Sequence, residues 1–452
     1  MLPLLAALLV IAGLAALGSR LSGDLAGPDD SPAFRSVLSL LAGAVVLHLL
    51  LLTVLQVLGL PWRSAILVPA GALVAVALHV VRRRAPLQER AAADPWGWGD
   101  TVALLAVFAF AALALSLWIA TPDFVYHWGI KGERFHLARG VDYRFLTESW
   151  NGILHPDYPN LLPELYAVTA LAGRGFHAEA MMLWSVVWMV LALLAAREAL
   201  ARGGADRFAR QATVALLALV IAAFSIGNLM AGGADGMIAL ALLAALPALL
   251  APVGPLSDLQ IGIVAAFAAA AKTEGVVLGA LLVGAALVRH LARPLPWRAC
   301  LSAGAVLRLA LPAAAVVLPW AAAVHRYGLF QAFNGGALRW SRWAIVGPAL
   351  VSGADTGPWH GFSYALLLLP FLAFDRRLRP FATVVALQLA FYVYVFLSSN
   401  VDTLLLVQAS FPRLLLHLVP AVIVGGVIAL AGDRGARVVA GAGSSAVDAT
   451  AG

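Results

Sequence analysis

The segment TPDFVYHWGIKGERFHLARGVDYR, residues 121–144, places carboxylates, imidazoles and cations between two long apolar stretches. Its opening Thr-Pro-Asp triplet is typical of a helix start, because Thr caps, Pro suits the first helical position and Asp favours the first turn. In a helix that advances about 100° per residue, four titratable side chains then share an arc of about 80°. They are Asp123, His127, Lys131 and Arg134. One helix face would therefore carry a base, an imidazole and two cations, which suits acid–base chemistry on an anionic substrate.

The same segment also fits an ordinary helix at the membrane surface. Asp123 would then stabilise the helix dipole, and the cations would contact lipid headgroups. Trp128 and its aromatic neighbours would form an interfacial belt. The segment alone leaves both interpretations open.

Further polar residues stand at the ends of other apolar stretches. In chain order they are His155, Asp157, Asp235, Lys272, Glu274 and Arg413. Ionisable side chains at membrane depth are costly, and by default they indicate function. A local Lys–Glu pair, a snorkelling arginine and a turn stiffened by proline are the structural alternatives. Because all these residues fall on one predicted side of the membrane, a shared site is the better interpretation.

A metal is a weaker alternative. His155 and Asp157 are spaced so that they could ligate a divalent ion, but two scattered ligands do not define a metal site. No metal ligand set is therefore assigned and no cofactor is firmly predicted, while a divalent metal stays an open alternative. The single cysteine, Cys300, excludes a disulfide framework and a cysteine-based metal cluster.

The elements that carry these residues are apolar helices. Of the 452 residues, 62% are hydrophobic and 12% are charged, against about a quarter charged in ordinary globular domains. The chain is therefore predicted to be an all-α, polytopic membrane protein, and its long unbroken apolar runs exclude a β-barrel. A length of about 20 residues per crossing predicts about 13 spans. They lie near 2–18, 37–59, 64–81, 101–120, 176–196, 211–229, 235–250, 259–271, 275–288, 304–324, 361–375, 381–397 and 412–431.

Positive charge predicts how these spans are oriented. Arginines group at 82–84, 197–210, 289–298 and 376–379, all on one side if the spans alternate, and this side is predicted to be cytoplasmic. The net charge of +7 is thus explained by orientation, and no nucleic-acid partner is predicted.

The loops on the opposite side carry the polar residues. The outer loops are 121–175 and 325–360, and within the first of them the segment 159–173 is predicted to be a helix in the outer interface. The first 18 residues are predicted to be a retained helix and not a cleaved signal peptide. The small, polar segment 432–452 is predicted to be a disordered cytoplasmic tail.

The order of these segments resembles a bacterial GT-C-type membrane glycosyltransferase of the protein-O-mannosyltransferase-like group. The resemblance covers about residues 101–431. Its motifs are DFVYHWGIK (123–131), HPDYPNLLPEL (155–165), GGADGMIALAL (232–242), AKTEGV (271–276), LPW (318–320) and PRLLLHLVP (412–420). Each motif is short, so the resemblance depends on the order of the motifs and on their common position on one predicted side of the membrane. Residues 1–100 are an additional three-helix membrane extension that would buttress this core.

The resemblance implies a GT-C fold whose outer-face loops carry juxtamembrane helices. It also implies transfer of a sugar from a polyprenyl-phosphate donor to a glycan, lipid or protein acceptor, with inversion, on the periplasmic face of a bacterial inner membrane. Asp123 would be the catalytic base, and Lys131, Lys272 and Arg413 would bind the donor phosphate. The other candidates for the substrate site are His127, Trp128, Arg134, His155, Asp157, Asp235 and Glu274.

Two other classes of function remain open. A secondary transporter of a solute or lipid-linked intermediate would need ionisable groups near the membrane midplane, reachable from both sides. A lipid-binding scaffold would need no chemistry. Consumption of a polyprenyl-phosphate sugar would favour the enzyme, whereas uptake of a solute by proteoliposomes would favour the transporter.

Overall fold

The computed structural model describes most of the chain. The described residues are 2–25, 27, 30–63, 65–69, 71–73, 95–148, 154–227, 231–294, 301–329, 336–356, 361–400 and 402–448. Most of the predicted span 64–81, the arginines at 82–84, Cys300 and parts of the loop 325–360 lie outside the described residues.

All regular secondary structure of the described residues is helical. In chain order the α-helices are α1 (Leu2–Leu25), α2 (Pro32–Leu49), α3 (Trp98–Ser116), α4 (Gly129–Ala138), α5 (Tyr143–Thr147), α6 (Leu161–Gly173), α7 (Ala178–Arg202), α8 (Arg207–Gly227), α9 (Asp235–Leu250), α10 (Pro255–Ala271), α11 (Thr273–Leu291), α12 (Ala303–Tyr327), α13 (Trp343–Thr356), α14 (Leu369–Phe374), α15 (Arg379–Ser398) and α16 (Thr403–Asp448). The π-helical segment Leu50–Leu55 continues α2, Phe124–Trp128 leads into α4, and the 3₁₀ segment Phe362–Leu368 leads into α14.

Helix starts follow local rules. Ser31 precedes α2 and accepts a hydrogen bond from the backbone N–H of Phe34 at 3.2 Å, while Pro32 occupies the first helical position. Ser302 accepts a hydrogen bond from the backbone N–H of Ala305 at 3.2 Å in the same way. These caps satisfy donors that the first helical turn leaves without a partner.

The prediction of an all-helical membrane bundle is confirmed. Within the described ranges, nine helices are long and apolar enough to cross a membrane. The predicted spans 235–250 and 259–271 correspond to α9 and α10, which have 16 and 17 residues. Both are shorter than the roughly 20 residues of a straight crossing. The number of spans stays a prediction.

Helix α6 differs from the interfacial helix predicted at 159–173. It contacts α1 and α4, and even its polar residues Glu164 and Thr169 are buried. Glu164 accommodates this burial through a contact of 2.7 Å between its Oε2 and Nδ1 of His48 in α2. An interfacial helix would expose a polar face, whereas α6 is enclosed by protein.

The last helix also extends beyond its predicted end. The sequence predicts a disordered segment over 432–452, but α16 continues to Asp448. Extending an existing helix costs far less than nucleating one, and this segment contains no proline to stop it.

Arginines gather at one end of the bundle, which we name the basic end. Arg197 of α7 contacts Asp100 of α3 at 2.6 Å, and Arg202 donates a hydrogen bond to the carbonyl oxygen of Pro247 at 3.1 Å. Helix α9 runs from this end to the opposite one, which we name the site end because α9 begins there with Asp235. The grouping matches the arginine pattern of the sequence, while the orientation of the two ends in a membrane stays a prediction.

Small residues let the central helices approach closely. A Cβ atom added to Gly262 of α10 would lie 2.1 Å from the backbone carbonyl oxygen of Arg308 in α12. Real side chains do not tolerate such a contact with backbone, so α10 and α12 pack through this glycine.

Gly262→Ala is therefore expected to lower the free energy of unfolding by about 1–3 kcal/mol, because α10 and α12 must separate. The matched control is Gly284→Ala in α11, where an added Cβ meets no atom within 4 Å. This control should keep or slightly raise stability, since alanine favours the helix. Thermal unfolding of detergent-solubilised protein measures both, and equal melting temperatures for the two variants would contradict the packing argument.

Candidate active site

Asp235 is the centre of the polar residues at the site end. It is the first residue of α9 and is 1% exposed. Its Oδ1 lies 2.9 Å from Nζ of Lys272 and 3.0 Å from Nε2 of His417, and its Oδ2 lies 3.0 Å from a terminal nitrogen of Arg413. We name these four residues the Asp235 network. A buried carboxylate is tolerated where charges and hydrogen bonds satisfy it in this way.

Arg413 joins Asp123 to this network. The same terminal nitrogen that contacts Asp235 lies 2.6 Å from Oδ2 of Asp123. Arg413 and His417 are four residues apart on α16 and therefore face the same neighbours. The Asp123 side chain is 16% exposed, against 2% for Asp235. One guanidinium thus bridges an accessible carboxylate and a buried one.

Lys272 connects the network to Glu274. It is the single extended residue between α10 and α11, with φ −163° and ψ 159°. Besides Asp235, its Nζ lies 3.3 Å from Oε1 of Glu274. The sharp break between two helices thus directs the lysine to the start of α9, where two carboxylates balance its charge.

A series of hydrogen bonds to residues of α15 holds the His417 ring in place. Its Nδ1 lies 2.7 Å from the hydroxyl of Tyr392, and Nε2 of Gln388 donates to that hydroxyl at 3.1 Å. Gln388 also donates to the backbone carbonyl oxygen of Glu274 at 3.1 Å. This series of hydrogen bonds therefore ends at Glu274, the residue that contacts Lys272. Through these bonds α15 fixes the geometry of the Asp235 network.

Aromatic side chains surround Lys131 beside the network. Lys131 is 0% exposed, and its Nζ donates to the carbonyl oxygen of His155 at 2.8 Å. This Nζ lies 5.3 Å from the ring centre of Trp128 and 6.0 Å from that of Tyr158, within the range of cation–π attraction. Tyr158 also lies 5.9 Å from Nζ of Lys272. The phenol ring thus stands between the two lysines.

His127 and His155 complete this aromatic cluster. The ring of His155 stacks on Tyr158 at 4.6 Å, and the ring of His127 meets the Trp128 ring edge-on at 4.4 Å. His155 has a left-handed backbone with φ 45°, which is uncommon for a residue other than glycine. Such outliers concentrate at functional sites.

Burial shifts the acid–base behaviour of these residues. It raises the pKa of Asp123 above the ordinary 3.8, while Arg413 and a hydrogen bond from Trp128 act in the opposite direction. Burial lowers the pKa of Lys131 from 10.5 to about 7, opposed by the charge of Asp157. Burial, with Lys131 second, lowers the pKa of His155 to about 3. Asp123 is therefore a stronger base than an exposed aspartate, and His155 is neutral near pH 7.

A cavity of about 300 Å³ opens beside the site, between α10, α11 and α12. Its walls are mainly apolar and include Val276 and Val317. Asp157 and Thr273 also line it, and Trp320 donates from its indole to the carbonyl oxygen of Asp157 at 2.8 Å. The cavity is suited to a hydrocarbon chain whose polar end reaches the site.

Most of the predicted site residues meet at the site end. Asp123, Asp235, Lys272, Glu274 and Arg413 form one connected set, and Lys131, His127, Trp128 and His155 form the adjoining aromatic cluster. Asp157 lies at the wall of the cavity. Among the described residues no group of three or more His, Cys, Asp or Glu side chains is arranged to hold a metal ion.

Two details differ from the helix-face prediction. Arg134 pairs with Asp142 at 2.9 Å, and its side chain is 43% exposed, so it does not contact the network. The cation that contacts Asp123 is Arg413, and Lys131 instead contacts the backbone of His155. The π-helical segment Phe124–Trp128 is the physical reason, because a wider turn rotates all later residues away from the positions that a regular α-helix would give them.

Two supporting residues, Gln388 and Tyr392, were not predicted from the sequence, whereas the position of His417 one helical turn after Arg413 is evident there. Gln388 and Tyr392 are likewise four residues apart, in a mainly apolar helix. Paired polar residues at this spacing share a helix face, so a signal for both was present.

The free energy of unfolding of the wild-type protein is expected to rise with pH, and Lys131→Met is expected to abolish this rise. Below about pH 7 folded wild-type protein holds a buried charge that burial disfavours. Between about pH 7 and 10.5 the unfolded chain binds more protons than the folded protein, so wild-type stability rises with pH, by at most about 1.4 kcal/mol per unit. The variant lacks this rise, because a methionine side chain does not titrate.

Thermal unfolding of both proteins from pH 6 to pH 10 measures this effect. The melting temperature of wild type should rise relative to that of Lys131→Met across the upper part of the range. Parallel curves would show that Lys131 does not titrate there.

The site combines a base of raised pKa, a bridging guanidinium, two lysines and an apolar cavity within one end of a helical bundle. These groups are able to deprotonate a hydroxyl, bind a phosphate and accommodate a lipid chain. No protein-family model, curated protein or solved structure matches the chain.

Proposed function

We propose that the protein is a membrane glycosyltransferase that moves a sugar from a polyprenyl-phosphate donor to a hydroxyl acceptor. The observation that carries the proposal is the position of Arg413, which bridges the partly exposed Asp123 and the buried Asp235 beside an apolar cavity. Base, phosphate-binding cation and lipid-sized space are the three parts that this reaction requires. The active site is proposed to face the periplasm of a bacterial inner membrane, since the basic end carries the arginines typical of the cytoplasmic side.

The bridge provides a way to activate the base only when the donor is present. Asp235 holds Arg413 at two nitrogen atoms, 3.0 Å and 3.3 Å from Oδ2, and therefore keeps it in place. A phosphate that binds to Arg413 competes with Asp123 for the guanidinium. Once that contact weakens, burial raises the pKa of Asp123 further, and the carboxylate becomes better able to remove a proton from the acceptor hydroxyl.

The lysines have unequal roles in this scheme. Lys272 is balanced by Asp235 and Glu274, so it positions the network more than it supplies charge. Lys131 contacts a carbonyl oxygen and has a pKa of about 7, so an anion nearby would favour its protonated form. It is the cation that gains most from an incoming phosphate.

The proposed step balances in atoms and charge with the donor, the acceptor and Asp123. The acceptor oxygen attacks the anomeric carbon, the bond from that carbon to the phosphate oxygen breaks, and the leaving polyprenyl phosphate keeps the electron pair. Asp123 takes the acceptor proton, and the cations stabilise the charge that grows on the phosphate, a contribution of about 3 kcal/mol for each well-placed donor. The prenyl chain would occupy the cavity between α10, α11 and α12, and attack from the side opposite the phosphate gives inversion.

The transporter alternative has less support. Between Asp235 and the basic end, the residues of α9 from Met237 to Leu246 are apolar and buried. Titratable groups along this helix therefore do not continue from one end of the bundle to the other, as a path for ions would require.

Asp123→Asn is expected to lower the rate of sugar transfer by about 10²–10⁴-fold, because the amide keeps the shape and cannot accept the proton. Purified protein in nanodiscs is supplied with radiolabelled polyprenyl-phosphate pentoses and hexoses and with an extract of envelope lipids and glycans. The matched control is Glu133→Gln, which neutralises an exposed carboxylate of the same segment. Near-normal transfer by Asp123→Asn would remove Asp123 from the mechanism.

The pH dependence of the rate gives an independent check. Because the pKa of Asp123 is raised, the base is active above that pKa and loses activity as the pH falls through it. The acid limb of the kcat profile should lie above the range of an ordinary aspartate. An acid limb at the ordinary value near 3.8 would contradict the assignment.

A further inference from the structure

A second apolar cavity lies on the other side of the start of α11. It measures about 50 Å³ and is formed between α11, α15 and α16. Its lining includes Thr273, Glu274, Tyr392, Phe396, Ser410 and Leu414. Thr273 also lines the larger cavity between α10, α11 and α12. The first turn of α11 therefore separates two openings that both reach the site end.

The charged group in the lining of this second cavity is the carboxylate of Glu274. Its Oε1 contacts Lys272 at 3.3 Å, whereas its Oε2 is buried and has no hydrogen-bond partner among the described residues. A buried carboxylate oxygen without a partner favours a ligand that donates a hydrogen bond to it. A hydroxyl group is such a donor, and a phosphate or another carboxylate is not.

The walls of the cavity are held in place by the network. Tyr392 is fixed by His417 and Gln388, and Gln388 also contacts the backbone of Glu274. Phe396 packs edge-on against Phe411 at 6.3 Å. These walls are largely aromatic, a surface that binds hydrocarbon and the faces of sugars.

We propose that this cavity binds one hydroxyl group and the first chain carbons of the acceptor, an amphiphile whose head carries further hydroxyl groups that lie outside the cavity, with the chain carbons against Phe396 and Leu414. Glu274 accepts a hydrogen bond from one hydroxyl of the head, while another hydroxyl of the same head is deprotonated by Asp123. The inference rests on the proposed function, and it names the substrate class: the acceptor is a lipid-linked glycan or glycolipid and not a protein. The hydrocarbon chains of the donor and of the acceptor then approach the site from opposite sides of α11.

Two reciprocal variants test the separation of the cavities. Ser410→Leu narrows the second cavity, and Val317→Phe narrows the larger one. The probe acceptor is n-decyl β-D-glucopyranoside, with a polyprenyl-phosphate sugar that supports turnover as donor. Ser410→Leu should raise the KM for the probe at least tenfold and change the KM for the donor less than threefold. Val317→Phe should show the reverse pattern.

Glu274→Gln tests the hydrogen bond from the acceptor head. The amide still offers an oxygen to Lys272 but replaces the second acceptor oxygen with a donor. The KM for the probe should rise at least tenfold, and this rise should exceed any change in the KM for the donor, which can respond because Glu274 also balances the charge of Lys272. Glu133→Gln is the matched control and should change neither value. Equal changes in both KM values for Ser410→Leu, or an unchanged probe KM in Glu274→Gln, would overturn the proposal.

Photolabelling separates this inference from the proposed function. A decyl glucoside with a diazirine in its chain should label peptides of α15 and α16 in wild type, and Ser410→Leu should reduce that labelling at least fivefold. Labelling with no consumption of any polyprenyl-phosphate sugar would mean that the cavity binds an amphiphile and that the glycosyltransferase proposal is wrong. Turnover without labelling of these helices would mean that the enzyme takes its acceptor elsewhere.

Discussion

The site end depends on one buried carboxylate, that of Asp235. It stands at the start of α9 and receives Lys272, Arg413 and His417 within 3.0 Å. A carboxylate taken out of water is stable only if its partners stay close, and removing one partner from such a buried pair typically costs about 3–5 kcal/mol. Helices α9 and α16 and the break between α10 and α11 are therefore held in one arrangement.

This constraint explains why the site combines rigidity with one exchangeable contact. Glu274 and the hydrogen bonds of α15 hold the inner part of the network, whereas Asp123 contacts it from outside through Arg413. The outer contact is the one that a phosphate could replace without exposing Asp235. A base that gains strength when the donor arrives would limit proton transfer to the moment when both substrates are present.

The surroundings of the site suit molecules that are partly lipid. Two apolar cavities flank the first turn of α11, and the aromatic cluster of Lys131 covers the network from the segment between α3 and α7. The basic end is separated from the site end by the apolar, buried part of α9. The polar network at one end and the arginines at the other are thus separated by the same helix that carries Asp235.

The all-helical bundle could be predicted from the sequence alone, because long apolar runs leave few other ways to satisfy the backbone in lipid. The limits of one helix were predicted as well, because the span expected at 235–250 coincides with α9, whereas the last helix begins and ends well outside its predicted span. Most of the candidate residues were also identified, since charges are rare in such a chain. The contacts between these residues, however, follow only from the fold. Asp123 and Arg413 are 290 positions apart, and no local periodicity relates them. The π-helical turn after Asp123 redirected Lys131 and Arg134, because a small change in helical twist rotates every residue beyond it.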